Sequence, residues 1–223
     1  MCRDANEPPK DEPLKLQSVD FTSAIPNSGL LGANCDVTQD AVGPFGQCRT
    51  NPINVNGVQG ELEYLSRLLC GCDSFLVFHR LCSTSRISRS GSIDVYESIC
   101  ARGRHWDVLF LDLYHPRQSL KIPDGYRLRE KPSASTDSPI VWGTNDYCPD
   151  FPGGVMRQTI LDHSWELSFS LSADAWNEIA LTSNLDRPPE HCARMQAFAP
   201  SQPDEMSRLR NGCELLHLFP VEL

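Results

Sequence analysis

The sequence predicts an α+β domain in which helices pack against an antiparallel sheet. Three apolar segments rich in β-branched and aromatic residues follow one another between residues 75 and 115. The link between the last two is short enough only for a hairpin, so they form part of an antiparallel meander. Segments with helical periodicity lie before and after this meander. We therefore expect at least three meander strands, further C-terminal strands and two to three packed helices.

The 223 residues, of which 40% are hydrophobic, suffice for one domain of ordinary size. Residues 1–50 are rich in Pro, Gly, Asn and Asp, which predicts an irregular N-terminal arm. Residues 51–223 are expected to form a single α+β domain. Within it, the Pro-, Ser- and Gly-rich stretch 131–154 predicts a long loop, and loops of this length often lie beside a pocket.

The first predicted element of the domain is an amphipathic helix within residues 54–71. Apolar residues recur there at helical spacing, namely Val58, Leu62, Leu65 and Leu69. Asn56 is placed as an N-terminal cap, and Gly71 is typical of a helix C-terminus. We expect this helix to lie on the sheet.

Three strands are predicted next, over residues 75–82, 92–101 and 105–115. A tight turn between the last two strands places Ile99 opposite Trp106 and Val95 opposite Phe110. These pairs put apolar residues against apolar residues, which is how the register of a hairpin is normally fixed.

The same reasoning gives a register for the first of these strands. It places His79 opposite Val95 and on the same face as Glu97, so that a contact between His79 and Glu97 would be a diagonal pair. Arg80 then faces Asp94 on the other side of the sheet, where a salt bridge is the simplest expectation. The nine-residue loop between the strands does not itself define this register.

Four further elements are predicted towards the C-terminus. Alternating apolar residues predict a strand within residues 159–171, and residues 172–183 read as a helix capped by Ser172. A short helix at 203–212 and a final strand at 214–223 complete the prediction.

Charge limits the partners that the chain can bind. A formal net charge of −9 argues against general nucleic-acid binding and would suit a basic protein partner. No apolar run approaches the roughly 18 residues of a membrane-spanning helix. Between residues 79 and 121, however, seven basic side chains stand against four acidic ones. This local excess could attract a small anionic ligand, or it could belong to a solvated sheet edge.

The N-terminal residues lack the basic and apolar pattern of a secretory signal, so a cytoplasmic location is expected. In a reducing compartment the ten cysteines are expected to be thiols, most of them small buried hydrophobic groups. The sequence contains no Cys-x-x-Cys, and its one close pair is Cys70 and Cys72. This spacing gives little support for a zinc site, and we predict no metal and no cofactor.

One acid, Asp112, lies within the densest apolar run of the chain, residues 106–119. An ionised carboxylate there is costly unless it is paired or hydrogen-bonded. Asp112 is therefore either an anchor that accepts hydrogen bonds from its surroundings, or a base, an orienting group or a metal ligand beside His115. The two residues have opposite parity on an extended strand, so they share a site only if the chain bends between them.

Pro116 should end the strand and leave His115 and Arg117 at the end of the sheet, where binding residues are often found. A histidine near a carboxylate can transfer protons, and an arginine can hold a carboxylate or phosphate bidentately. The candidate catalytic residues are His79, Asp112 and His115, and the candidate ligand-binding residues are Arg80, Glu97 and Arg117.

Three hypotheses for the function follow. The chain contains no P-loop, no Rossmann fingerprint and no Gly-x-Ser-x-Gly motif, so the leading hypothesis is a non-catalytic interaction or accessory domain. The first alternative is a small enzyme or ligand-binding domain that acts on an anionic molecule through His79, Asp112, His115 and Arg117. The second is a thiol-rich redox or metal-binding protein. The sequence does not indicate an oligomeric state.

Overall fold

The computed structural model describes residues 36, 38, 41–85, 92–129 and 140–197. In this part of the chain a five-stranded sheet and a two-stranded sheet are combined with five helices, which confirms the α+β class. The larger sheet is mixed, because its two outermost strands run parallel to their neighbours. The prediction of a wholly antiparallel sheet with two to three helices is corrected in these two respects.

The strands of the described residues are β1 (Ile53–Asn54), β2 (Leu68–Cys70), β3 (Leu76–Ser85), β4 (Ser92–Cys100), β5 (Trp106–Asp112), β6 (Tyr126–Leu128) and β7 (Gly143–Thr144). The helices are α1 (Gly57–Arg67), α2 (Gly153–Asp162), α3 (Ser164–Ser170), α4 (Ala173–Thr182) and α5 (Pro189–Ala197). The large sheet has the strand order β1-β5-β4-β3-β7, and β2 pairs with β6 in the small sheet.

The predicted register of the β4–β5 hairpin is confirmed. Ile99 lies opposite Trp106, and Val95 lies opposite Phe110. The tight turn depends on Gly103, whose φ of 68° is a left-handed conformation that suits glycine. Its backbone N–H donates to the carbonyl oxygen of Cys100 at 2.7 Å and closes the turn.

The predicted register of β3 is wrong. His79 lies opposite Glu97, and the residue opposite Val95 is Cys82. The pairing shifts between Arg80 and Cys82, where a β-bulge inserts one extra residue into β3. A prediction based on regular alternation cannot include such a bulge. At His79 the observed partner lies two residues from the predicted one, so the expected diagonal contact between His79 and Glu97 is a direct cross-strand pair.

Helix α1 begins after Asn56, as predicted, although the Asn56 side chain makes no capping hydrogen bond. The helix ends at Arg67 and not near Gly71. The next three residues form β2 because they pair with β6, with Leu68 opposite Leu128. Tertiary pairing therefore overrides the helical periodicity at this end.

The predicted strand within residues 159–171 is wrong, because this segment forms the end of α2 and all of α3. The backbone N–H of His163 donates to the carbonyl oxygen of Thr159 at 3.0 Å, and that of Leu167 donates to the carbonyl oxygen of His163 at 2.9 Å, so His163 ends α2 and begins α3. Leu167 is buried, whereas Trp165 and Phe169 are 75% and 74% exposed. The alternation of apolar residues arises because the helix carries apolar side chains on both its buried and its exposed face.

The predicted helix at residues 172–183 is confirmed as α4, and the Ser172 hydroxyl accepts from the backbone N–H of Ala175 at 3.2 Å. Helix α5 was not predicted, because its Pro-rich start reads as a turn, although proline is common in the first turn of helices. The predicted helix at 203–212 and strand at 214–223 lie outside the described residues, as does most of the N-terminal arm.

Apolar side chains cover both faces of the large sheet. Tyr64 and Leu65 of α1 pack in one buried cluster with residues of β3, β4 and β5. The opposite face is covered by α2, α3 and α4, and Met195 of α5 packs on Val95 and its neighbours. None of the helices in the described part of the chain is long and apolar enough to span a membrane.

The described part of the predicted 131–154 loop contains β7, whose Gly143 lies against Phe78 of β3. A Cβ at Gly143 would lie 2.2 Å from a ring carbon of Phe78, which is fully buried. Gly143→Ala should therefore lower the free energy of unfolding by about 1–3 kcal/mol, as overpacking does elsewhere. Urea denaturation measures this change.

Gly60→Ala in α1 is the matched control for this substitution. The nearest atom to its added Cβ is a Val55 side-chain carbon at 3.5 Å, an ordinary contact. Because alanine favours helix, we expect Gly60→Ala to leave stability unchanged or to raise it. Equal stability of the two variants would contradict the packing of β7 on Phe78.

Candidate functional site

His79 and Glu97, two of the predicted site residues, meet in a fully buried cluster. Nε2 of His79 is 2.7 Å from Oε2 of Glu97, and both side chains have no exposed surface. The contact exists because the register of β3 and β4 places the two residues opposite each other. The sequence analysis placed them on one face but not in direct register.

Two residues that the sequence analysis did not select complete this cluster. Arg187, just before α5, donates from Nε and Nη2 to the two Glu97 carboxylate oxygens at 2.7 and 2.9 Å. His191 of α5 lies with Nε2 3.0 Å from Oε1. Each carboxylate oxygen therefore has two partners. The only sequence signal for these residues is indirect, since a buried acid requires cationic or hydrogen-bonding partners.

The electrostatics fix the protonation state of the cluster. Burial by itself would raise the pKa of Glu97, but the charge of Arg187 and hydrogen bonds from His191 and His79 hold it well below its usual value. Burial lowers the pKa of His79, which is therefore neutral. Its Nδ1 accepts the backbone N–H of Cys148 at 3.0 Å, so Nε2 carries the proton and donates to Glu97.

This arrangement is suited to holding the fold together. Both ring nitrogens of His79 and both oxygens of Glu97 are engaged in hydrogen bonds. These residues line neither the cleft of about 630 Å³ beside Cys70 nor the groove of about 770 Å³ beside α1. The cluster connects β3, β4 and α5 through a compensated buried charge.

Breaking the Glu97 cluster should be strongly destabilising. Arg187→Met leaves a buried carboxylate without its main cationic partner, and we expect a loss of about 3–5 kcal/mol in the free energy of unfolding. Arg157→Met is the control, because Arg157 pairs with Asp150 in an exposed contact. Its loss should be within about 1 kcal/mol. Urea denaturation of both variants tests the difference, and similar small losses would argue against a charged Glu97 cluster.

The structure brings Asp112 and His115 together. Nε2 of His115 is 2.9 Å from Oδ2 of Asp112, whose side chain is fully buried. β5 ends at Asp112, three residues earlier than the strand predicted at 105–115, and the chain bends there. Oδ1 of Asp112 also accepts the backbone N–H of Tyr114 at 3.2 Å. These bonds favour the interpretation of Asp112 as an anchor for the segment that leaves the sheet.

The two predicted ligand-binding arginines lie apart from each other. Arg80 forms the expected salt bridge, with Nη1 3.2 Å from Oδ2 of Asp94. Arg117 lines a groove of about 770 Å³ together with Arg67 and other residues along α1. Of the six candidate site residues, Arg117 is the one that lines this groove.

A buried acid outside the predicted site, Glu61 of α1, has an unusual protonation state. Burial and the negative charge of Asp94 raise the pKa of Glu61 to about 8. Oη of Tyr96 lies 3.0 Å from its Oε2. The hairpin register predicts no close pair of carboxylates within the hairpin. The interaction between Glu61 and Asp94 instead joins α1 to β4.

The raised pKa of Glu61 makes stability depend on pH. The folded state retains a proton that the unfolded state releases between pH 4.5 and about 8, so this contribution to stability falls as pH rises through that window. The difference in unfolding free energy between wild type and Glu61→Gln should therefore shrink by up to about 1.4 kcal/mol per pH unit. Urea denaturation at several pH values measures it, and Glu63→Gln on the same helix is the control. A difference that does not change with pH would contradict a protonated Glu61.

One group of metal-type ligands occurs among the residues that the structure describes. It consists of Cys70, Cys72, Cys100 and His105, whose ligand atoms all lie within 4.8 Å of one another. The sequence analysis singled out the first two cysteines but did not connect them with the other two residues. Three of the four also line a cleft of about 630 Å³.

An exposed row of apolar side chains runs along α2 and α3. It consists of Leu161, Trp165 and Phe169, which follow one another at four-residue spacing, and we call it the helical stripe. The rings of Trp165 and Phe169 pack against each other with centroids 4.8 Å apart. Helical spacing and this ring contact place Trp165 and Phe169 on one face of α3, and Leu161 lies in the last turn of α2, just before His163.

Comparison with known proteins assigns no family to the chain. No protein-family model, no curated protein and no solved structure matches it. The function has to be argued from the geometry of the described residues.

Proposed function

We propose that the protein is a non-catalytic accessory domain that binds a basic, amphipathic segment of a partner protein through the helical stripe. The observation that carries this proposal is the exposure of three large apolar side chains at the end of α2 and along α3, two of them aromatic and in contact with each other. Contiguous exposed apolar surface often marks a protein interaction site, and aromatic anchors are enriched there.

The state of the candidate catalytic residues supports a non-catalytic role. His79 is buried, and both of its ring nitrogens are engaged. Asp112 is buried and bonded to its own chain and to His115. The alternative of an enzyme acting on an anionic molecule has less support, because Arg117 lines the groove beside α1 without the two others and none of the three lines the cleft beside Cys70.

The charges around the helical stripe indicate the chemistry of the partner. Residues 153–182 contain four acidic side chains and one arginine, and that arginine pairs with Asp150. Asp162 and Glu166 directly follow Leu161 and Trp165 and are exposed beside them. A segment with apolar anchors and flanking Lys or Arg would complement this surface. A second copy of the chain would instead place acidic side chains against acidic side chains, which is unfavourable.

The cysteines support a cytoplasmic location for this function. All seven cysteines of the described residues are unbridged, including Cys48 and Cys72, which are only half-buried. Free thiols are typical of a reducing compartment.

The interaction can be tested with a dye-labelled synthetic helix of Leu and Lys, titrated with the full-length protein and followed by fluorescence anisotropy. We expect Trp165→Ser and Phe169→Ser each to weaken binding by about tenfold or more, since central aromatic anchors carry most of the binding energy. Glu166→Lys should also weaken binding, and a helix of Leu and Glu should not bind.

Leu120→Ser is the matched control, because Leu120 is as exposed as Leu161 but lies near the groove beside α1. It should bind the basic helix as the wild type does. Equal affinity of the Trp165 variant and the wild type would refute the proposed surface. Self-association of the wild type that Trp165→Ser abolishes would also refute it, because the occupant would then be a second copy.

A further inference from the structure

We propose that the protein holds one zinc ion through Cys70, Cys72, Cys100 and His105. This inference is independent of the proposed interaction surface. It assigns a tetrahedral site with three thiolates and one imidazole. The ion would join the small sheet to the β4–β5 hairpin.

The distances between the ligand atoms fit one tetrahedral ion. Sγ of Cys70 and Sγ of Cys100 are 2.9 and 3.8 Å from Nδ1 of His105, and all four ligand atoms lie within 4.8 Å of one another. In a tetrahedral zinc site with Zn–S near 2.3 Å and Zn–N near 2.0 Å, neighbouring ligand atoms are about 3.5–3.8 Å apart. The observed separations lie around this range, so small side-chain rotations would complete the coordination.

The first turn of the site brings two thiols together. Gly71 separates Cys70 from Cys72, and its backbone N–H donates to the carbonyl oxygen of Gly125 at 2.8 Å. A Cβ at Gly71 would lie 3.1 Å from that oxygen, which leaves little room for a side chain. The backbone N–H of Asp73 donates to the carbonyl oxygen of Cys70 at 2.8 Å and closes the turn. This compact geometry holds both sulfur atoms on the same side of the chain.

The second turn of the site is the β4–β5 hairpin. Cys100 is the last residue of β4, and its backbone N–H donates to the carbonyl oxygen of His105 at 3.1 Å. The backbone N–H of Arg104 donates to Sγ of Cys100 at 3.3 Å. An N–H donor at the sulfur stabilises a metal-bound thiolate and fixes its orientation. The hairpin therefore supplies a sulfur ligand, a nitrogen ligand and a supporting hydrogen bond.

The surroundings provide an entry path and a compensating charge. Cys70, Cys72 and His105 line an open cleft of about 630 Å³, whereas Cys100 is fully buried behind them. An ion can therefore reach the site from solvent. A divalent ion with three thiolates carries a net charge of about −1. The guanidinium of Arg102 lies nearby and donates to the carbonyl oxygen of Cys72 at 3.1 Å.

The ligand set selects the metal and its role. Thiolate and imidazole ligands in a tetrahedral arrangement favour zinc over magnesium, calcium or manganese, which prefer oxygen ligands. Four protein ligands fill the coordination sphere, which is typical of structural zinc sites and leaves no position for a reacting water. The ion would stabilise the fold, because its binding energy is available only when the Cys70–Cys72 turn and the β4–β5 hairpin are brought together.

The direct test is elemental analysis of the untagged full-length protein purified without chelator. We expect about one zinc ion per chain, as for other structural sites. Cys72→Ser and His105→Ala, which alter the two least buried ligands, should lower zinc affinity by at least about tenfold. Cys48→Ser is the matched control, since Cys48 is half-buried but outside the group, and it should retain the zinc of the wild type.

Cobalt substitution gives a second readout that does not depend on stability. Replacement of zinc by Co²⁺ should produce a thiolate-to-cobalt charge-transfer band and the intense visible bands of a tetrahedral complex. Cys72→Ser should weaken the charge-transfer band, and Cys48→Ser should leave it unchanged.

Three results would overturn the proposal. The first is a folded wild-type protein without metal whose melting temperature does not respond to added zinc. The second is a disulfide among Cys70, Cys72 and Cys100 in protein isolated under reducing conditions. The third is an equal loss of zinc in Cys72→Ser and Cys48→Ser.

Discussion

An ionised carboxylate in the middle of a sheet must be compensated by groups from elsewhere in the chain. Glu97 of β4 meets this requirement with a histidine from β3 and with Arg187 and His191 from the C-terminal part of the described chain. Helix α5 can dock only where these two residues reach the carboxylate. Docking also brings Met195 onto the sheet. The compensation of the Glu97 charge therefore positions the apolar contact of α5, which is a short helix and would not be held in place by this contact alone.

The parts of the fold that the sequence predicts correctly are local. The β4–β5 register follows from the short turn and from apolar pairs such as Val95 and Phe110, which lie close together along the chain. The predicted β3 register is off by two residues at His79 and by three at Cys82, and the bulge after Arg80 accounts for one residue, so most of the error comes from a loop whose length does not define the register. Glu97 also shows the limit for the site, since its arginine partner lies 90 residues away and no spacing rule connects them.

The zinc ligands illustrate an intermediate case. In an antiparallel meander, the start of β3, the end of β4 and the start of β5 lie at the same end of the sheet. Cys72 precedes β3, Cys100 ends β4 and His105 precedes β5, so the predicted topology already contains their proximity. The spacing of cysteines along the chain does not reveal this proximity, because strand order brings the ligands together. Placing cysteines and histidines on a predicted topology is the more sensitive search.

Both edges of the large sheet are strands of only two residues, Ile53–Asn54 and Gly143–Thr144. A strand of two residues presents only a short row of unpaired backbone groups at the edge of the sheet. Such rows are templates for the addition of strands from other chains, which leads to domain swapping and fibril growth. β1 and β7 therefore offer little backbone for pairing with a foreign strand, so association of copies of the chain through these two strands is disfavoured.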